Sequence, residues 1–296
     1  MANFYQQINN NKIRSGFVLT LFVAFILVAA YFITVSFNLD NGLIIGALIF
    51  SIISSLSSYF IGDKMVLNLN GAKPADKKSH FDLYTVVENL SQVNQTPIPK
   101  AYVIDSPALN AFATGRNPQH ASICVTTGLL NELNRTELEG VVAHELSHIK
   151  NYDTLLMTLV SVLIGSLSIL IDFTTRYSFF SGSRRRDDDK QENGLLGIIG
   201  MILVIFAPII AQLIQLAISR RREFLADASA VKLTRQPKGL INALVKISSD
   251  HNQLQTASTA TTSLYISNPF KNNKIASLFS THPPIEDRIK ALSQML

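Results

Sequence analysis

The segment with the clearest chemical meaning is His144-Glu-Leu-Ser-His148, in which two histidines stand four residues apart. On a helix, positions i and i+4 lie on one face, so both imidazole rings can reach the same metal ion. Glu145 lies next to this pair, where a carboxylate can accept a proton from a water at the metal. This pattern is typical of zinc metallopeptidases. The alternative is a helix that carries two solvated histidines.

A catalytic zinc ion needs a third protein ligand and an open position for water. His80, His120 and His251 stand alone in polar segments, and we interpret them as surface histidines. Among the acids, Glu223 and Asp227 would share one helical face. A glutamate ligand with an aspartate behind it fits zinc sites, where outer carboxylates orient the ligands. Pairing of both acids with the neighbouring arginines is an equal alternative.

The composition indicates that part of the chain lies in a membrane. Hydrophobic residues make up 47% of the 296 residues and charged residues 16%, whereas soluble domains carry about 25% charged residues. The uncharged apolar runs cover residues 16–37, 41–62, 154–171 and 195–218. A span needs about 20 apolar residues, so the third run is marginal and the others are long enough. The first run is too long for the core of a secretory signal, so we predict a retained anchor.

The distribution of charge favours a lipid bilayer over nucleic acid as partner. The net charge is +5, but the basic residues cluster beside the apolar runs and do not form a groove-binding face. The positive-inside rule then places the N-terminus, the segment after the second run and the C-terminal part in the cytoplasm. A single cysteine, Cys124, fits a reducing compartment. The sequence leaves open whether the hairpin of the third and fourth runs crosses the bilayer.

Between the second and third runs, the pattern is that of a globular domain with helices and strands. Apolar residues at helical spacing predict a helix over 77–92. Apolar, partly β-branched stretches predict strands over 101–105 and 121–127, and a third strand over 110–115.

The motif helix has its own start signal and an apolar stripe. Thr136, followed three residues later by Glu139, predicts a capping box. The stripe is expected to pack on the core and consists of Leu138, Val142, Leu146 and Ile149. His144 and His148 lie off this stripe, and we expect them to line a cleft close to the membrane surface.

These features together resemble the HtpX-type membrane metalloproteases, relatives of the CAAX prenyl proteases within the gluzincins. The resemblance rests on H-E-L-S-H, on the two hydrophobic runs that follow it and on R-R-R-E-F-L-A-D-A at 220–228. The stretches N-A-F-A-T-G-R at 110–116 and V-T-T-G-L-L at 125–130 are similar to the same family. The resemblance covers most of the chain.

The resemblance implies roles for individual residues. His144, His148 and Glu223 would bind one Zn²⁺ ion. Glu145 would be the general base, and Asp227 would bond to a ligand histidine.

Two further implications concern substrate and transition state. The segment that would hold an extended polypeptide by main-chain hydrogen bonds consists of Asn110, Ala111, Phe112, Ala113, Thr114 and Gly115. His282 would assist transition-state stabilisation, and a turn histidine ahead of the last helix is the alternative.

The implied fold is that of an α+β integral membrane protein: a mainly helical zincin-like catalytic domain with a small sheet, plus four hydrophobic helices. We expect a membrane hairpin at 1–62, the first catalytic part at 63–153, a second hairpin at 154–218 and the second catalytic part at 219–296.

The implied activity is that of a zinc endopeptidase in the bacterial cytoplasmic (inner) membrane. Its polypeptide substrates would be misfolded or damaged membrane proteins, cut on the cytoplasmic side. Two alternatives are a specific processing protease, for which four apolar segments are few, and a zinc-stabilised scaffold without turnover. The presence of Glu145 argues against the scaffold, since a structural zinc site needs no base.

Overall fold

The computed structural model describes residues 4–36, 40–166, 221–257, 260–267 and 283–295. Two long helices open the chain, α1 (Phe4–Ser36) and α2 (Gly42–Leu69). Their segments Ile8–Val28 and Ile44–Leu69 are long and apolar enough to cross a membrane, by length and composition. They support a membrane protein with the two predicted N-terminal spans. The run at 195–218 and the end of the run at 154–171 lie outside the described residues.

A four-stranded mixed sheet forms the β part of the fold. The strands are β1 (Lys73–Pro74), β2 (Lys100–Ile104), β3 (Ala111–Gly115) and β4 (Ala121–Thr126), in the spatial order β1-β2-β4-β3. β2 runs parallel to β4, and the other two pairs are antiparallel. The three predicted strands are therefore confirmed, and β3 lies at one edge of the sheet.

The remaining helices pack against both faces of this sheet. They are α3 (Phe81–Asn94), α4 (Thr127–Glu132), α5 (Arg135–Lys150), α6 (Asp153–Ser166), α7 (Arg221–Thr234), α8 (Pro237–Ser249) and α9 (Ile285–Ser293). The helix predicted over 77–92 begins only at Phe81. The reason is a turn before it, in which the Asp76 carboxylate accepts hydrogen bonds from the backbone N–H groups of Lys78 and Ser79.

The motif helix α5 has a capping box, but not the predicted one. Asn134 caps the helix: its side chain accepts a hydrogen bond from Glu137 N at 3.0 Å, and Glu137 Oε2 accepts one from Asn134 N at 2.9 Å. The box predicted at Thr136 and Glu139 is wrong by two residues. The Glu139 carboxylate instead pairs with Arg135 at 3.3 Å on the helix surface, so it does not reach back to the backbone.

Close packing of helices holds α5 at the centre of the catalytic part. Its predicted apolar stripe is confirmed, because Leu138, Val142, Leu146 and Ile149 are all buried. α5 crosses α8 where two glycines meet the opposite backbone. A Cβ on Gly140 would lie 2.7 Å from Leu240 N, and one on Gly239 would lie 2.6 Å from Thr136 O. Only glycine allows this approach at either position.

The helix α6 joins the membrane part to the catalytic part. Phe22 and Ile26 of α1 form an apolar cluster with Leu163 of α6. On α2, Gly62 lies against Thr158, since a Cβ there would be 2.9 Å from Thr158 Cγ2. The first part of the third apolar run therefore packs directly against both N-terminal helices.

Candidate metal centre

Packing of α7 against α5 brings the three predicted metal ligands together. One ligand atom from each of His144, His148 and Glu223 lies within 4.8 Å of the others. The two Nε2 atoms are 3.1 Å apart. Glu223 Oε2 is 3.5 Å from His144 Nε2, and its Oε1 is 3.5 Å from His148 Nε2. Two helices that are far apart in sequence thus supply one donor cluster.

The cluster is deeply buried. The exposed fractions of His144, His148 and Glu223 are 1%, 4% and 5%. Both histidines leave the apolar stripe, as predicted, but they do not line an open cleft. They lie beneath α7, because the first turns of that helix cover the side of α5 that the stripe leaves uncovered.

A carboxylate lies behind each histidine. His144 Nδ1 is 2.9 Å from Asp227 Oδ1, the contact predicted for Asp227. His148 Nδ1 is 3.1 Å from Asp153 Oδ2. Each Nδ1–H therefore donates to an acid, which leaves the Nε2 lone pair as the metal-binding atom. Both lone pairs point to the same place.

These donors fit a tetrahedral divalent metal. Zinc bonds nitrogen and oxygen at about 2.0–2.2 Å, so neighbouring ligands in a tetrahedral site lie about 3.3–3.6 Å apart. The observed separations of 3.1–3.5 Å are close to this spacing. Without a cation or a proton between them, two lone pairs and a carboxylate at these distances would repel one another.

The charge balance of the buried cluster points the same way. Four buried carboxylates belong to it among the described residues: Glu145, Asp153, Glu223 and Asp227. Two guanidinium groups, those of Arg222 and Arg288, contact these acids. Two negative charges remain, and a divalent cation neutralises them. An uncompensated buried charge is costly, so this balance favours a metal ion.

Arg288 is a member of the site that the sequence interpretation missed. It is fully buried, and it holds both oxygens of Asp227, with Nη2–Oδ1 at 2.7 Å and Nε–Oδ2 at 2.9 Å. Its Nη1 donates to the carbonyl of Ile266 at 3.2 Å. One signal was available, because Arg288 lies at helical spacing from Ile285 and Leu292 and so faces the core side of α9.

Hydrogen bonds and charge set the protonation of this cluster. Burial and the charge of Arg288 lower the pKa of His144, but its bonds to Asp227 and Glu223 outweigh them and raise it to about 9. A metal ion at Nε2 therefore competes with a proton there and displaces it on binding. Burial raises the pKa of Asp227, yet Arg288 and His144 lower it to about 2. Burial lowers the pKa of Arg288, but the negative charges of Asp227, Glu223 and Glu145 raise it above the ordinary value. Asp227 is therefore ionised and Arg288 cationic.

Glu145 belongs to the same buried cluster. It is 2% exposed, and its negative charge acts on Arg288, whose Nη1 lies 3.8 Å from Glu223 Oε2. The motif carboxylate is thus enclosed with the donors and shielded from bulk solvent.

The segment predicted to hold substrate lies at the sheet edge, and part of that edge is covered. Ile266 N donates to Ala111 O at 2.9 Å, and Tyr265 forms an antiparallel bridge with Phe112. At the other end, Gly115 N donates to Thr158 Oγ1 at 3.3 Å.

The other residues of the segment are also engaged or buried. Asn110 lies just before β3, where its Nδ2 donates to the carbonyl of Ser267 at 3.0 Å. Ala113 and Thr114 lie between these contacts and are also buried. Substrate binding here stays a prediction, and His282 lies outside the described residues.

Three features together define a metalloprotease: a helix with two histidines and a glutamate, a third donor from a second helix, and a small mixed sheet. Residues 78–296 match the model of peptidase family M48, and the chain belongs to this family. The HtpX-type resemblance is confirmed. The Protease HtpX homolog of Dictyoglomus turgidum is 43% identical, over 99% of this chain and 95% of that protein. The homolog of Lactobacillus helveticus is 42% identical, over 98% of this chain and 99% of that protein.

A solved structure shares the fold. The crystal structure of S. mikatae Ste24p matches with a TM-score of 0.50 and 23% identity, over 97% of this chain and 66% of that chain.

Proposed function

We propose that this protease is a zinc-dependent endopeptidase anchored in the bacterial cytoplasmic membrane. Its substrates are misfolded or damaged membrane proteins, cut on the cytoplasmic side. The observation that carries the catalytic part is the buried donor cluster, in which His144, His148 and Glu223 lie within 4.8 Å of one another. Nothing but a cation or a proton can occupy the space between such donors favourably.

The chemistry follows from the side chains around this cluster. Zinc, when bound, supplies a Lewis acid that polarises a carbonyl and activates water at neutral pH. His144, His148 and Glu223 hold it. Glu145 removes the proton from the attacking water and delivers it to the leaving amine.

Two further observations support the substrate and the location. An extended polypeptide would bind along the edge strand β3, beyond the stretch that Tyr265 and Ile266 cover, by adding a strand to the sheet. The two apolar helices α1 and α2 would keep the enzyme beside membrane-protein clients. The clusters of Lys and Arg next to the apolar runs favour a cytoplasmic catalytic part.

Digestion of casein by the purified full-length chain in detergent tests the proposed activity. We expect cleavage with zinc, loss of cleavage with a chelator and recovery when zinc is added back. Casein that stays intact while one protein is cut would identify a processing protease. A chain that binds zinc and unfolded clients but cuts nothing would be a scaffold, and the proposal would then be wrong.

A further inference from the structure

The carboxylate behind His148 is held by the N-terminal helix. Asp153 begins α6 directly after the turn that ends α5. Its Oδ2 accepts the hydrogen bond from His148 Nδ1 at 3.1 Å. Its Oδ1 accepts two more, from Asn11 Nδ2 at 2.8 Å and from Arg222 Nη1 at 3.0 Å. The orientation of this carboxylate therefore depends on three partners, one of which lies on α1.

The turn between α5 and α6 makes this geometry possible. Tyr152 has a φ of 60°, in the left-handed region that non-glycine residues seldom adopt. This conformation interrupts the helix after Lys150, and the Asp153 carboxylate that follows it contacts His148, five residues earlier. A tight turn of this kind has little freedom to move the carboxylate, and its neighbours set the final position.

Asn11 is built into this turn and is not a surface residue. It is 4% exposed. Its Nδ2 also donates to the carbonyl of Asn151 at 2.8 Å, and its Oδ1 accepts a hydrogen bond from Arg222 Nη1 at 3.4 Å. A buried amide is stable only when its polar atoms find such partners. The contacts of Asn11 all converge on the turn and on Asp153.

The surrounding residues show that α1 docks here along one face. Asn11 and Ser15 are buried one turn apart, while Asn10, Ile13 and Arg14 are exposed. Lys12 Nζ lies 4.6 Å from the centre of the Tyr152 ring. α1 has 33 residues and is therefore about 50 Å long, whereas the hydrocarbon core of a bilayer is about 30 Å thick. Its first turns, up to Ser15, thus contact the catalytic part, while the uncharged part of α1 from Gly16 to Ser36 is still long enough to cross the membrane.

We propose that Asn11 is a positioning residue of the metal centre, acting through Asp153 on His148. The inference rests on the proposed role of His148 as a ligand. It makes the N-terminal helix a part of the catalytic site, since the site is complete only when α1 is docked on the turn between α5 and α6. His144 differs, because its carboxylate Asp227 is held by Arg288 from within the catalytic part.

The test is the zinc affinity of the Asn11→Leu variant, measured on the purified full-length chain by competition with a chromophoric chelator. Loss of an outer carboxylate or its partner weakens metal affinity by about 10–100-fold, and we expect a loss in this range. The visible spectrum of the Co²⁺-loaded variant should shift as well, because the ligand His148 is reoriented. Asn10→Leu is the matched control: the same change, one residue away on an exposed position, should leave affinity and spectrum as in the wild type.

A double-mutant cycle separates positioning from simple packing. Asp153→Ala should weaken zinc binding by itself, and adding Asn11→Leu should then cost no further affinity. If Asn11 only packs α1, the second change would lower the thermal midpoint Tm in both backgrounds without a cobalt shift. Asn11→Ala, a smaller change, replaces Asn11→Leu if that variant does not fold.

The outcomes distinguish this inference from the proposed function. Wild-type zinc affinity and cobalt spectrum in a folded Asn11 variant would overturn the inference alone. A wild-type chain that binds no zinc would overturn the proposed function first.

Discussion

Each histidine of the candidate metal centre has a carboxylate behind it, which fixes the orientation of its ring. Glu145, the acid of the H-E-x-x-H motif, is buried beside these histidines. Its Glu145→Gln variant keeps the shape of the side chain but cannot accept a proton. We expect unchanged zinc content, with a rate of casein cleavage lower by about 10²- to 10⁴-fold, the usual contribution of a general base. Substantial cleavage by the purified variant would remove Glu145 from the mechanism.

The third ligand is tested by metal content. Among the described residues, Glu223 is the one acid grouped with His144 and His148 as a possible metal ligand. Glu223→Ala removes this oxygen donor. We expect zinc affinity to fall by more than the roughly 10–100-fold that follows loss of a supporting residue. Elemental analysis after dialysis measures it, with the exposed Glu132→Ala as control. Full-affinity zinc in the Glu223 variant would show that another residue is the ligand.

The single thiol offers an independent test of the sheet. Cys124 lies in β4, is fully buried, and burial raises its pKa well above the usual range. Reaction with maleimide requires an accessible thiolate. We therefore expect no labelling of the native protein by N-ethylmaleimide and complete labelling after unfolding in guanidinium. Mass spectrometry measures both, and rapid labelling of the native chain would contradict the position of β4.

Between elements, the crossing of α5 and α8 is the most constrained contact of the catalytic part. In Gly140→Ala, the new Cβ would meet backbone atoms of Leu240, which cannot move out of the way as a side chain can. We expect a loss of about 1–3 kcal/mol in the free energy of unfolding, the usual cost of overpacking. Gly46→Ala on α2, where no atom lies within 4 Å of the added Cβ, should not lower the Tm. Equal Tm values for the two variants would argue against this crossing.

The elements themselves follow closely from local pattern. Helical spacing predicted α3 and the buried stripe of α5, and β-branched runs predicted the strands, since the period of apolar residues reflects which face is buried. Errors arose where side chains compete for the backbone. Asn134, not Thr136, caps α5, because its partner Glu137 also binds Lys246 at 2.8 Å. Lys246, 109 residues further along the chain, thus helps to stabilise the capping box at Asn134 over the one predicted at Thr136.

In the molecule as a whole, the orientation in the membrane is open to direct test. The native thiol Cys124 is buried, so added cysteines report without background. We expect Asp40→Cys, in the turn after α1, to react with a membrane-impermeant maleimide on intact spheroplasts of a bacterial host. Lys78→Cys, exposed before α3, should react only after permeabilisation. The reverse pattern would place the catalytic part outside the cytoplasm.

The amino-acid sequence alone predicted the class of this protein, a metalloprotease. Two histidines at i and i+4, the adjacent Glu145 and the long uncharged runs are local features, so they can be read without knowledge of the fold. Glu223 needed the additional support of the family resemblance. From spacing alone, a salt bridge between Glu223 and its neighbouring arginines explained this residue as well as a role as metal ligand.

The tertiary structure decided which side chains support the ligands. Asn11, Asp153 and Arg288 lie on three different helices, and their residue types also occur on ordinary polar surfaces. Their partners are chosen by the packing of α1, α6 and α9 around α5. Such contacts join positions up to 211 residues apart, where periodicity and spacing carry no information. The same packing buried His144 and His148, which a helix on its own would have left open to solvent.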